Sequence, residues 1–273
     1  MKVLVTGGAG YIGSHLVWEF LNRKCDISII DNLELGSKSL IPKDANITVA
    51  DISDEKKISG VLQKKNFDVI IHLAAYTKVA DSIKYPKKYY ENNFEKSKEF
   101  FKICIKNDIK KFIFSSTCAV YGNSNNSGLS ENTEKNPLNA YSDSKWKMEQ
   151  YLEKISKANN LSIISLRYFN VTGSDDKLRC GLISNPENLI KALCEFILGK
   201  RKEFIVNGTD YDTKDGSTVR DFIHVSDLVD LHYLVTEKLL KLNKSFYEVY
   251  NCGYGKGFSV LEIVNAFEKI IKK

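Results

Sequence analysis

The sequence lacks the patterns that would tie a chain to a metal, to disulfides or to a membrane. Cys25, Cys104, Cys118, Cys180, Cys194 and Cys252 form no C-x-x-C pair, and His15, His72, His224 and His232 show no ligand spacing. A zinc centre and a disulfide scaffold are therefore not expected, and most of the cysteines read as core fillers. The longest apolar runs, such as DVIIHLAAY, are far too short to cross a bilayer, and the Met1 end enters a strand-like segment in place of a signal sequence. The expected compartment is the cytosol, with no membrane partner. No internal repeat and no low-complexity linker is present. Arginine is scarce, five against 35 lysines. The net charge of +6 is spread along the chain among acids, which argues for solvated faces and against a nucleic-acid track.

What is present is a large α/β chain. At 273 residues and 43% hydrophobic it can bury a sizeable core. Short β-branched runs alternate with helical patterns. KVLVT precedes a helix at 11–23, DISIID follows, ITVA precedes one at 54–64, DVIIHL one at about 83–107, and KFIFSS one at 140–159 before SIISLRY. Continuous apolar strands separated by helices predict a parallel sheet covered on both faces, a doubly wound, Rossmann-type fold. After about residue 169 the rhythm changes to a loop-rich stretch. A helix, a short strand EFIVNG, a helix capped by Ser226 and a final helix SVLEIVNAFEKIIKK running to the last residue follow. The expected division is a dinucleotide-binding domain at 1–168 and a smaller lobe at 169–273, packed on the sheet edge.

Three features bear on chemistry. In VLVTGGAGYIGSHL, Gly7, Gly10 and Gly13 fall between a strand and an apolar helix. There glycines permit a tight turn and a close approach to a pyrophosphate, while the helix N-terminus offers N–H donors. Asp31 closes the second strand at the distance expected of a carboxylate that accepts from an adenosine ribose, which favours NAD over NADP. Asp51, ending the third strand, is placed to reach the adenine, or serves only its turn.

The third feature is Tyr141, followed by Lys145 one helical turn later. About two such pairs are expected by chance in this composition, so spacing alone carries nothing. Position carries more, because ligands of a doubly wound sheet sit beyond the carboxyl ends of its strands, and the helix bearing Tyr141 begins on that side. A lysine ammonium beside a phenol would favour the phenolate and give a base near neutral pH, with Thr117 bridging substrate hydroxyl and phenol.

These segments together with DN, DI, HLAA, YYENN, FIFSSTCAVYG, YSDSK, LRYFNVTG and DGSTVRDFIHVSDL resemble the extended short-chain dehydrogenase/reductase family, most closely its UDP-glucose 4-epimerases. The resemblance implies NAD, a UDP-sugar substrate and transient C4 oxidation to a 4-keto sugar that is reduced again on its other face. It assigns Tyr11 and Ile12 to the pyrophosphate, Asp31 and Asn32 to the adenosine ribose, and Asp51 and Ile52 to the adenine. Leu73, Ala74, Ala75, Asn92 and Phe169 would line the cofactor cleft, joined by Thr77, where the family often carries a lysine; here Lys78 follows one place on. Asn170, Asn188, Leu189 and Arg220 would hold the nucleotide sugar, although Arg220 could instead pair structurally with Asp221 or Asp227. His224 reads as structural.

Relatives continue past the equivalent of Lys273, so a shortened substrate lobe is expected. The resemblance also implies a homodimer through the helices at 83–107 and 140–159. The alternatives are a shortened NAD-binding paralogue with a regulatory or scaffold role, a reductase, or a 4,6-dehydratase. The last is disfavoured by Cys118 and Ala119 where dehydratases place Asp-Glu.

Overall fold

The computed structural model describes residues 1–123, 128–183, 188–242 and 244–271. From the N-terminus the chain alternates β1 (Lys2–Thr6), α1 (Tyr11–Asn22), β2 (Asp26–Asp31), β3 (Asn46–Val49), α2 (Glu55–Lys64) and β4 (Val69–His72). Next come α3 (Val79–Lys84), α4 (Pro86–Tyr89), a π-helical segment at Tyr90–Lys96, α5 (Ser97–Lys106), β5 (Lys111–Thr117), α6 (Ala140–Asn159) and β6 (Ser162–Tyr168). The remainder comprises β7 (Asn170–Thr172), α7 (Leu189–Ile197), β8 (Val219–His224), α8 (Val225–Lys241), β9 (Phe246–Cys252), β10 (Gly257–Ser259) and α9 (Val260–Ile271).

Seven parallel strands form the main sheet in the order β3-β2-β1-β4-β5-β6-β9. Strand order reverses between β1 and β4, the crevice where this class of sheet receives ligands. Alternation along each strand divides the core. Val3 and Val5 face the layer of α1 and α8, with Leu16, Phe20 and Leu228, whereas Leu4 faces Phe100, Phe101, Met148 and Leu152 of α5 and α6. The doubly wound expectation holds. A second sheet, β10-β8-β7, stands beside the first.

Several elements differ from expectation. EFIVNG is not a strand: Ile205 is exposed and no strand among the described residues pairs with it, so its β-branched composition is not matched by a ladder. Four strands were not anticipated, β7, β8, β9 and β10; of these β9 pairs along the whole of β6 and extends the main sheet. Elements beyond residue 169 are thus shared between the two sheets. The helix expected at 83–107 is interrupted by the π-helical segment. The cap of α8 is His224, not Ser226: the imidazole Nδ1 accepts from the Ser226 N–H at 3.2 Å. The final helix is described to Ile271. No helix among the described residues is long and apolar enough to cross a membrane.

Candidate functional site

At the carboxyl ends of the main-sheet strands lies a cleft of about 390 Å³. Its floor is the glycine turn. Gly7 has φ +72°, a conformation only glycine adopts without strain, and a Cβ there would meet the Ala74 nitrogen at 2.7 Å. A Cβ on Gly13 would lie 2.1 Å from the Gly7 carbonyl oxygen. The turn is thus packed too closely against neighbouring backbone to admit a side chain at either position. Helix α1 has no side-chain cap, and its first i→i−4 bond is Ser14 N–H to Gly10 carbonyl. The N–H groups of Tyr11, Ile12 and Gly13 precede that bond, and these three residues line the cleft. A pyrophosphate fits such a cradle.

Asp31 lies beside it. One carboxylate oxygen accepts from the Ala9 N–H at 2.9 Å and the other from the Leu33 N–H at 2.8 Å. The carboxylate is thereby fixed at the cleft wall with lone pairs left for a ribose. Asp51 serves its turn and is also part of the cleft. It accepts from the Ser53 N–H and hydroxyl in a turn, pairs with Lys96 at 2.7 Å and still lines the cleft.

The predicted cofactor residues Gly7, Gly10, Tyr11, Ile12, Gly13, Asp31, Asn32, Asp51, Ile52, Leu73, Ala74, Ala75, Thr77, Asn92, Tyr141 and Phe169 all line this one cleft, as do the predicted substrate residues Thr117, Asn170 and Asn188. Lys145, Leu189 and Arg220 do not. Leu189 opens α7 behind Asn188, whose side chain caps that helix by accepting from the Lys191 N–H at 3.1 Å.

Arg220 is exposed and its guanidinium donates to the neighbouring Val219 carbonyl at 2.8 Å. The structural pairing considered for it is absent among the described residues. Asp221 accepts from the Tyr254 and Gly255 N–H groups and Asp227 from the Tyr254 hydroxyl. The other four arginines all face carboxylates. Burial pushes the thiol of Cys118, next to Thr117, up to about 12, and Arg220 is near enough for its charge to oppose that shift in part.

The electrostatic premise about Tyr141 needs correction. Burial pushes its phenol up to about 12, eased by a hydrogen bond with Thr117, and Lys145 is not among the groups that shift it. Lys145 is 2% exposed, and its ammonium donates to the Ser115 carbonyl at 2.7 Å while lying 4.8 Å over the Phe114 ring. Burial pulls it down to about 7, opposed by Glu149 one turn on. Helical spacing places both residues on one face of α6, but it does not say which partner the flexible lysine takes.

Sequence reasoning also missed Glu34, Leu35, Gly36 and Tyr76 at one end of the cleft and Tyr168 and Leu182 at the other. It missed Asn93 as well. Buried in the π-helical segment, that side chain accepts from the Tyr76 N–H and donates to the Tyr76 carbonyl, both at 2.9 Å. The YYENN run was the signal available.

Residues 3–253 match the model of the NAD dependent epimerase/dehydratase family. The chain is 37% identical over 271 residues to the UDP-glucose 4-epimerase of Lactobacillus helveticus, covering 99% of this chain and 82% of that one. It is 38% identical to the UDP-glucose 4-epimerase of Bacillus subtilis, covering 100% and 83% respectively. A solved structure of the Bifidobacterium longum UDP-glucose 4-epimerase in complex with NAD+ and UDP superposes with a TM-score of 0.92 at 36% identity, covering 98% of this chain and 83% of that one.

Proposed function

The chain belongs to the NAD dependent epimerase/dehydratase family, and from that footing we propose that its cleft binds NAD together with a UDP-sugar and inverts the sugar at C4. The chain is an isomerase of the UDP-glucose 4-epimerase kind. One observation carries the reading: the glycine cradle, the ribose-facing Asp31, and Thr117 with Tyr141 line a single cleft.

When bound, NAD supplies a reversible two-electron acceptor for a hydroxyl carbon, so no net redox change is left after a turnover. The protein's own groups do the rest. First-turn N–H groups of Tyr11, Ile12 and Gly13 hold the pyrophosphate, and Asp31 with Asn32 holds the ribose. Tyr141 takes the proton from the C4 hydroxyl and returns it at its phenol oxygen, and Thr117 orients that hydroxyl. Lys145 acts from behind by donating to the carbonyl of Ser115, a residue of the cleft wall, and so holds that end of β5 in place beneath the site. Arg220, which faces no carboxylate among the described residues, takes the diphosphate of the nucleotide sugar.

The finer parts of the reading are a cytoplasmic homodimer and a sugar lobe formed by residues 169–273. Support for the dimer is a groove between the π-helical segment and α6, where Tyr90, Phe94 and Tyr151 present aromatic surface.

The test is direct. Wild-type protein given UDP-galactose should form UDP-glucose, and Tyr141→Phe should lower that rate by roughly 10²–10⁴ while still holding NAD. Normal turnover in the variant would remove the assigned base.

A further inference from the structure

The loops leaving β2 and β4 meet across the cleft. The Tyr76 hydroxyl donates to the Glu34 carboxylate at 2.6 Å, between residues 42 apart in sequence. Lys88 of α4 closes the contact from outside, with its ammonium 4.0 Å from the centre of the Tyr76 ring and 3.5 Å from Glu34. Both Glu34 and Tyr76 line the cleft.

The topology gives this bridge its meaning. In the sheet β2 and β4 are the two neighbours of β1, so a bond between their C-terminal loops passes over the loop that leaves β1. That loop is the glycine cradle. Resting on the reading of the cleft as a dinucleotide site, we propose that Glu34 and Tyr76 form a strap across the dinucleotide, and that opening this strap sets how slowly bound NAD leaves.

The two ends of the strap are built differently. The Tyr76 backbone is clamped on both sides by Asn93, so the β4 end is fixed. The Glu34 end sits on an exposed turn: Leu33 has φ +62°, a conformation uncommon for a branched residue, and Asn32 accepts from the Glu34 N–H at 3.1 Å. Opening therefore means swinging the turn at 32–36 away from a stationary tyrosine. An enzyme whose cofactor is restored within each turnover gains from such a strap, because dissociation serves no step of its reaction.

The experiment is retention of NAD by the full chain. Wild type, Tyr76→Phe and Glu34→Ala are loaded with NAD, freed of excess by gel filtration, and assayed over time for nucleotide still bound. The phenylalanine keeps the ring in place and removes only the bond, so folding is preserved, and Glu34→Ala breaks the strap from its other end. Both variants should lose NAD about 10- to 100-fold faster than wild type, the worth of one hydrogen bond to a charged group. The melting temperatures of the NAD-stripped proteins should stay at the wild-type value, whereas a bond that merely held the fold together would lower them. If wild type holds NAD and both variants release it at the wild-type rate, the strap is overturned and the cleft assignment stands. If wild type holds no NAD, the cleft assignment itself fails and the strap with it.

Discussion

Two histidines buried on the two faces of the main sheet make the fold sensitive to mild acid. His72 lies between the rings of Phe100 and Phe114, with Nδ1 2.8 Å from the Thr6 hydroxyl and Nε2 3.1 Å from the Ser97 hydroxyl. His232 donates from Nδ1 to the Leu228 carbonyl at 2.8 Å and accepts at Nε2 from the Tyr168 hydroxyl at 2.7 Å. Burial pulls them down to about 3 and about 4 respectively. Both are therefore neutral in the folded protein down to about pH 4, while the unfolded chain protonates them below about 6.5. The unfolded state then binds more protons, so stability falls as pH drops through 6.5. At pH 5.5 each histidine favours unfolding by about 1.4 kcal/mol relative to pH 7.5, roughly 3 kcal/mol for the pair.

Other linked groups act elsewhere or in the same direction. His15, also held below its ordinary value by burial, adds to the fall. Asp175, held at about 2 by Arg179, loses its contribution only below about pH 4. Lys145, lowered to about 7, makes stability fall as pH drops from its ordinary value to 7 and nothing further below that. Urea unfolding at pH 7.5, 6.5 and 5.5 should show the loss, and His232→Asn should remove close to half of the slope whatever its own stability. A change of less than about 1 kcal/mol over that range would refute the assignment of neutral, buried imidazoles.

Three further outcomes follow from the geometry. Arg220→Ala should weaken UDP binding by about 10- to 100-fold in calorimetric titration, the cost of a charge-assisted hydrogen bond to phosphate, with little recovery in Arg220→Lys. Gly13→Ala places a methyl group 2.1 Å from the Gly7 carbonyl; the turn must shift, so the purified variant should carry no NAD by absorbance. Glu149→Gln leaves Arg167, 2% exposed and bonded to that carboxylate at 3.0 and 2.6 Å, without its counter-charge. It should lower unfolding free energy by about 3–5 kcal/mol in urea.

What could be read from the sequence followed from periodicity. α6 runs over Ala140–Asn159 as expected because Asn139 and Ser142 form a capping box at one end and Asn160 adopts the left-handed conformation at the other. The glycine cradle was legible because its chemistry is local. Misreadings came where pairing decides. EFIVNG and FYEVYNC are both rich in β-formers, and only the second finds an open edge, beside β6. The Asn93 clamp and the Glu34–Tyr76 bridge join residues 17 and 42 apart through side chains, and no spacing rule in a single sequence encodes them. Lys145 shows the same limit within one helix, since its face was predictable and its hydrogen-bond partner was not.

That last point changes how the site must work. With Tyr141 at about 12, ionising the phenol at pH 7 costs roughly 7 kcal/mol, and the Thr117 hydrogen bond has already been counted. Lys145 supplies none of that difference from its place on the Ser115 carbonyl. A phenol so disposed is a strong base once ionised and is seldom ionised, so on the proposed reading the charge that makes it reactive arrives with the ligands. A cation brought against the ring lowers its pKa in proportion to proximity, and the burial of Tyr141 beside Tyr168 in the cleft magnifies the effect. On the proposed reading of Tyr141 as the base, a phenol with so raised a pKa holds a proton taken from a substrate hydroxyl tightly enough to return it.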